Sequence, residues 1–326
     1  MELHRSERFP GIAVGYVLPT PRLRPYVSAI SLTHVDASAG TIFDQVYPEW
    51  PNIRLSADGD MACRPGPGAL ERCNPIAGIG PTSHATHFSL APGRYWTVGL
   101  LPLGWARFTE ARASDHADSW EQATDDSVFA CFAPLLDIAA QGRDEDDTVT
   151  RMEAHLVSLL ARPPRDEDKI LRAHAALVHP AVTTVSELAD QSGMTVRTLE
   201  RLSTSAFGFS PKLLMRRQRF LRSRHHAASA GSVHVHHPHP QARGRSARRS
   251  HGIRNVVKLQ IEEYLESARH QSPYQFRPCR GEQLLAHLEP AQCGVEPLHQ
   301  RQRGRRIGVI QRHNNFCRIH RDPCVE

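Results

Sequence analysis

No two cysteines in this chain stand in a C-x-x-C arrangement, although seven are present. An odd count without paired spacing argues against a disulfide framework and against a Cys-rich zinc site. No apolar run approaches the length of a membrane span, and the first twenty residues lack the apolar centre of a signal peptide. These absences predict a soluble, cytoplasmic protein without a membrane partner. Short catalytic signatures are missing too: there is no G-x-S-x-G, no Walker loop and no H-E-x-x-H. The stretch Ile79-Gly80-Pro81 reads as a turn rather than a phosphate cradle. The expectation is a chain that is not an enzyme, with no catalytic residue, no metal and no cofactor.

Charge is present but unevenly placed. From Ser223 to Glu326, 17 Lys and Arg face 8 Asp and Glu, whereas the residues before them hold 23 against 26. The formal net charge of +6 therefore belongs to the tail, and the body is mildly acidic. A nucleic-acid argument from whole-chain charge would rest on the wrong residues.

Residues 11 to about 110 carry short apolar runs, among them Ile42–Val46 with Tyr47, Asn52–Leu55, His87–Leu90 and Tyr95–Leu101. Turn signals at Asp58-Gly59, Pro65-Gly66-Pro67-Gly68 and Pro92-Gly93 separate them. Short strands with frequent turns predict a β-sandwich or small barrel. From about Asp126 the period becomes helical: Phe129, Phe132, Leu135 and Leu136, then Val149, Met152, Leu156 and Leu159. Pro163-Pro164 breaks this pattern and marks a boundary. Ile170, Leu171, Ala173 and Leu177 open a second helical region.

The stretch TVSELADQSGMTVRTLERLSTSAFGFSPKLLMRRQRFLR, residues 184–222, is the most specific signal. Thr184 with Glu187 forms a capping box, and Ser192-Gly193 supplies a turn in which Gly takes the left-handed conformation. Thr195 caps a second helix whose Val196, Leu199 and Leu202 point back at the first. Arg197, Glu200, Arg201 and Thr204 share the opposite face. A helix of this width fits the major groove, where Arg197 and Arg201 are expected to bond guanine edges, and Glu200 either accepts from a cytosine amino group or pairs with Arg197 and holds its guanidinium. Ser210-Pro211 starts a third helix with Lys212, Arg216 and Arg219 in one stripe and Leu213, Leu214, Phe220 and Leu221 in another. The basic stripe suits backbone phosphates. Thr184 and Thr195 mark helix starts suited to phosphate contact through backbone N–H groups, with Thr198 on the reading helix. Double-stranded DNA is the expected partner. Helix-turn-helix shapes arise by chance in helical bundles, but a capped helix, a Gly turn, R-T-L-E-R, F-G-F-S-P-K and a basic helix in sequence make a narrower pattern.

These residues resemble the first helix-turn-helix and linking helix of AraC/XylS-family transcriptional regulators. The matching positions are Val185, Leu188, Ala189, Gly193, Met194, Thr195, Arg197, Thr198, Leu199, Arg201, Phe207, Gly208, Ser210, Pro211 and Lys212. Leu18-Pro19, Leu23 to Val27, Pro48 to Asn52 and Pro102 to Trp105 resemble the cupin-like domains attached to some of these regulators. The resemblance implies an α+β chain. A β-rich, cupin-like regulatory domain with trailing helices would span 1–162, and the helix-turn-helix with its linking helix 168–222. It also implies a small-molecule effector, or dimerisation into a homodimer, through the first domain.

Residues 223–326 depart from the family. The second helix-turn-helix, D-x-x-H-F-x-R-x-F followed by G-x-S-P, is not found there; Gln271-Ser272-Pro273-Tyr274 is only a chance echo. Leu, Ile, Val and Phe supply 20 of these 104 residues and the segment holds 12 of the 20 histidines, which predicts a disordered tail. Arg supplies 37 of the 40 cationic side chains, as in a GC-rich gene. With the sudden change of composition, this suggests out-of-frame translation from about Ser223. Two alternative functions are a sensor or dimerisation module that has lost specific DNA binding with the second half of its reader, and a cupin-type metalloenzyme with a fused helical domain. His234 to His239 reads as incidental rather than as a metal site, and His84 with His87 lacks cupin metal spacing. Cys131 lies on an apolar helical pattern and reads as core.

Overall fold

Alternating side chains in the first hundred residues build two sheets. The computed structural model describes residues 5–9, 11–160 and 166–229, and the tail with its frame-shift reading lies outside them. All described residues belong to one compact unit, Met1–Gln275. The strands are β1 (Arg5–Phe9), β2 (Ile12–Val17), β3 (Val27–Val35), β4 (Ile42–Val46), β5 (Asn52–Ser56) and β6 (Met61–Pro65). They continue as β7 (Glu71–Arg72), β8 (Ile76–Ile79), β9 (Thr86–Leu90), β10 (Gly93–Leu100) and β11 (Trp120–Gln122). A seven-stranded sheet has the order β1-β2-β3-β10-β5-β8-β11 and a four-stranded one β4-β9-β6-β7. Every pairing is antiparallel. The arrangement is an open sandwich, the first of the two architectures expected.

The period of two gives the large sheet two apolar faces. Ile12, Val14, Tyr16 and Tyr95 meet Val46, Met61, Cys63 and Phe88 of the small sheet. Ile30, Ile53, Leu55, Val98 and Leu100 on the other face meet helices. Those helices are α2 (Pro134–Gln141) and α3 (Glu145–Ser158), which supply Leu135, Val149, Met152 and Leu156. Asp144 caps α3 through its side chain, accepting from the Asp147 N–H at 2.8 Å. A short helix absent from the sequence reading, α1 (Pro102–Phe108), follows β10 and buries Leu103 and Trp105.

The remaining helices are α4 (Glu167–Val178), α5 (Val185–Gln191), α6 (Val196–Leu202) and α7 (Pro211–Ser229). A third core joins them to the sandwich side. Leu177, Leu188, Leu199, Phe207 and Leu214 cluster with Trp50, Leu101 and Leu103. Gly208, at φ +85, closes this contact: a Cβ there would lie 2.4 Å from Pro81 Cγ. Only glycine satisfies both the left-handed backbone and that approach. Among the described residues no helix is long and apolar enough to cross a membrane.

Candidate nucleic-acid interface

Local chemistry sets the two short helices. Thr184 Oγ1 accepts from the Glu187 N–H at 3.2 Å, and the Glu187 carboxylate accepts from the N–H groups of Thr183 and Thr184 at 2.7 and 3.1 Å. Those backbone bonds hold the Glu187 carboxyl below the usual carboxylate range. The capping box thus occupies the Thr183, Thr184 and Glu187 amides that a phosphate would otherwise use. The chain then turns at Gly193, φ +64, in the left-handed conformation the sequence called for. Thr195 caps α6 by accepting from the Thr198 N–H at 3.2 Å, and the two Thr hydroxyls are 2.9 Å apart.

On α6, Leu199 and Leu202 are buried against α4 and α5, while Arg197, Glu200 and Arg201 are exposed and Thr198 is half-buried. Among the described residues, no ion pair ties Glu200 to either arginine. The expected inward face is incomplete, because Val196 is 41% exposed. The helix changes to a π turn over Ser203–Phe207, where Ala206 and Phe207 enter the core. Thr204 is half-buried and donates to the Glu200 carbonyl at 2.9 Å.

Ser210 Oγ accepts from the Leu213 N–H at 3.4 Å at the start of α7. Lys212, Arg216 and Arg219 are exposed along one stripe, at i, i+4 and i+7. Leu214 and Leu221 are buried, but Phe220 is 42% exposed and meets Tyr47 edge-on, with ring centroids 5.5 Å apart. Within a few residues of each other, α6 and α7 present five cations and one carboxylate to solvent. A polyanion is the chemical complement of such a surface.

Three cationic side chains near these helices were not found by pattern. Arg217 is buried, with its guanidinium 4.0 Å above the Trp50 ring. Arg112 and Lys169 line a cleft with Thr198 and Arg201. Nothing local in the sequence relates Arg112 to Arg201; the fold alone joins them. Of the other candidates, His84 lies 3.0 Å from Ser83 Oγ and 3.5 Å from the Asp118 carboxylate. His87 sits on β9 opposite Gln45 and Arg64. Cys131 packs on the first core, and burial pushes its thiol up to about 11.

No family model matches the chain, and no curated protein matches it. Among solved structures it is similar to the AraC-like transcriptional activator CuxR, at 11% identity and a TM-score of 0.32, over 65% of this chain and 80% of that one. It is also similar to YcfD, a ribosomal oxygenase from Escherichia coli, at 9% identity and a TM-score of 0.23, over 52% of each chain. A third similar structure, Phpd with cadmium and a phosphonate, has 15% identity and a TM-score of 0.21, over 60% of this chain and 49% of that one. The expectation that the chain is not an enzyme is corrected here, since chains similar to it include an oxygenase. The physical reason is that a site in a sandwich draws its side chains from separate strands. Missing contiguous motifs therefore exclude little. None of these likenesses assigns a reaction to this chain.

Proposed function

We propose that the chain is a sequence-specific transcriptional regulator of the AraC kind, with α5, Gly193 and α6 as its helix-turn-helix. The observation that carries this reading is the division of α6: Leu199 and Leu202 hold it in the core, while Arg197, Glu200 and Arg201 stand exposed without ion-pair partners among the described residues. Side chains left unpaired on a helix of major-groove width are what base readout requires. Lys212, Arg216 and Arg219 position the protein on backbone phosphates. The Thr184 and Thr195 caps orient the two helices, and Thr198 adds a hydroxyl beside Arg201. The sandwich serves as the regulatory domain, cupin-like in type, which takes a small-molecule effector or pairs two copies.

Gel-shift titration on the gene's own upstream region tests the reading. Arg201→Ala weakens binding roughly ten- to hundredfold, as expected for one lost bidentate base contact. Arg216→Ala weakens binding on all sequences alike and lowers the salt slope by about one. Equal binding by the parent chain and Arg201→Ala at moderate salt would overturn specific readout and leave a sensor or dimerisation module.

A further inference from the structure

A cleft of about 280 Å³ opens between α6, the start of α4 and the short turn after α1, lined by Arg112, Asp166, Lys169, Thr198, Arg201 and Ser205. Its three cations come from three separate elements. The single carboxylate, Asp166, already accepts from Lys169 Nζ at 2.5 Å. Arg112 and Arg201 form no ion pair among the described residues. Three positive charges against one negative leave a surplus of two. The hydroxyls of Thr198 and Ser205 are engaged within the protein, Thr198 Oγ1 with Thr195 Oγ1 at 2.9 Å and Ser205 Oγ donating to the Leu202 carbonyl at 3.1 Å, so the donors left for a ligand are the cationic N–H groups.

We propose that this cleft binds a small phosphate monoester, held between Arg112 on one wall and Arg201 on the other. The charge selects a dianion, which a phosphomonoester is near neutral pH. Donors arriving from several directions suit a tetrahedral group, and forked guanidiniums match its oxygens in pairs. A carboxylate offers one plane and a single charge, and leaves half of the surplus uncompensated. Binding here engages Arg201, which is also the proposed base reader, so ligand and duplex compete for one side chain. The competition rests on the DNA-binding reading given above; the phosphate site does not.

The test is calorimetric titration of the full chain with inorganic phosphate near pH 7.5, against potassium chloride at matched ionic strength. Saturable one-to-one binding is expected, weakened at least tenfold in both Arg112→Ala and Arg112→Gln. The Arg112 side chain is exposed and forms no side-chain hydrogen bond or ion pair among the described residues, and thermal melting checks that both variants fold. In gel shifts, phosphate lowers duplex affinity more than chloride does in the parent chain and equally with chloride in Arg112→Ala. Heat that tracks ionic strength alone, or binding unchanged in the Arg112 variants, overturns the site. Phosphate that still lowers duplex affinity more than chloride does in Arg112→Ala overturns it as well, because the competition would then not run through this cleft. If no duplex binds at all, the function reading fails while the calorimetry still decides the cleft.

Discussion

His174 lies beneath aromatic rings, 5.8 Å from the Trp50 centroid and 6.3 Å from that of Phe207. Burial, and secondarily the charge of Arg217, push its pKa down to about 4. The native state therefore holds a neutral imidazole, whereas the unfolded chain takes up a proton near pH 6.5. Between these values the unfolded state binds more protons, so stability falls as pH drops from about 6.5 to about 4. At the lower end the loss is on the order of 3 kcal/mol for this one group. Above pH 7 it contributes no slope. Melting temperature followed from pH 7.5 to 4.5 falls less steeply in His174→Phe than in the parent chain; parallel curves would show that His174 is not the titrating group. The same scale shows where sequence reading stops. Cys131 and the exposed Arg197 and Arg201 follow helical spacing, but Arg217 sits one place from the basic stripe and stacks on Trp50 instead.

Helix ends in the α5–α6 pair are set by contacts within a few residues, which is why they were legible. Thr184, Glu187, Gly193 and Thr195 take the caps and the turn that the sequence predicts. Thr184→Ala removes the acceptor for the Glu187 N–H and costs about 1 kcal/mol, read as a lower midpoint in urea denaturation. Gly193→Ala forces a Cβ into the left-handed region and costs about the same. Loss of either without a midpoint shift would mean that the third core alone sets these helices. Contacts made outside the pair were not legible. Val196 and Phe220 keep to their helical patterns yet remain exposed, because no surface covers them fully. The π turn after α6 arises where Ala206 and Phe207 rotate into the core beneath Trp50.

At the scale of the molecule, Trp50 couples sandwich and helices. Its ring meets Phe207 at 5.9 Å and the Arg217 guanidinium at 4.0 Å. Next to it, the Glu49 carboxylate pairs with Arg54 at 2.7 Å. Burial raises the Glu49 carboxyl, against the pull of Arg54 and Arg217. Truncating such an aromatic leaves a cavity, so Trp50→Ala costs about 3–5 kcal/mol. The parent unit unfolds in one transition by far-UV circular dichroism, and the variant loses its helical signal at lower denaturant than its strand signal. A single coincident transition in the variant would show that the remaining contacts suffice for coupling.

What the sequence determined alone is the change from strands to helices, the caps and turn of α5 and α6, and the exposure of Arg197, Glu200 and Arg201 on α6 and of Lys212, Arg216 and Arg219 on α7. Those features depend on periodicity and on hydrogen bonds spanning a few residues. Tertiary structure decided the rest. It brought Trp50 onto Arg217 and His174, exposed Phe220, and set Arg112 and Lys169 across a cleft from Arg201. Such placements follow from packing between segments far apart in the chain, where no local pattern records which surface will cover which.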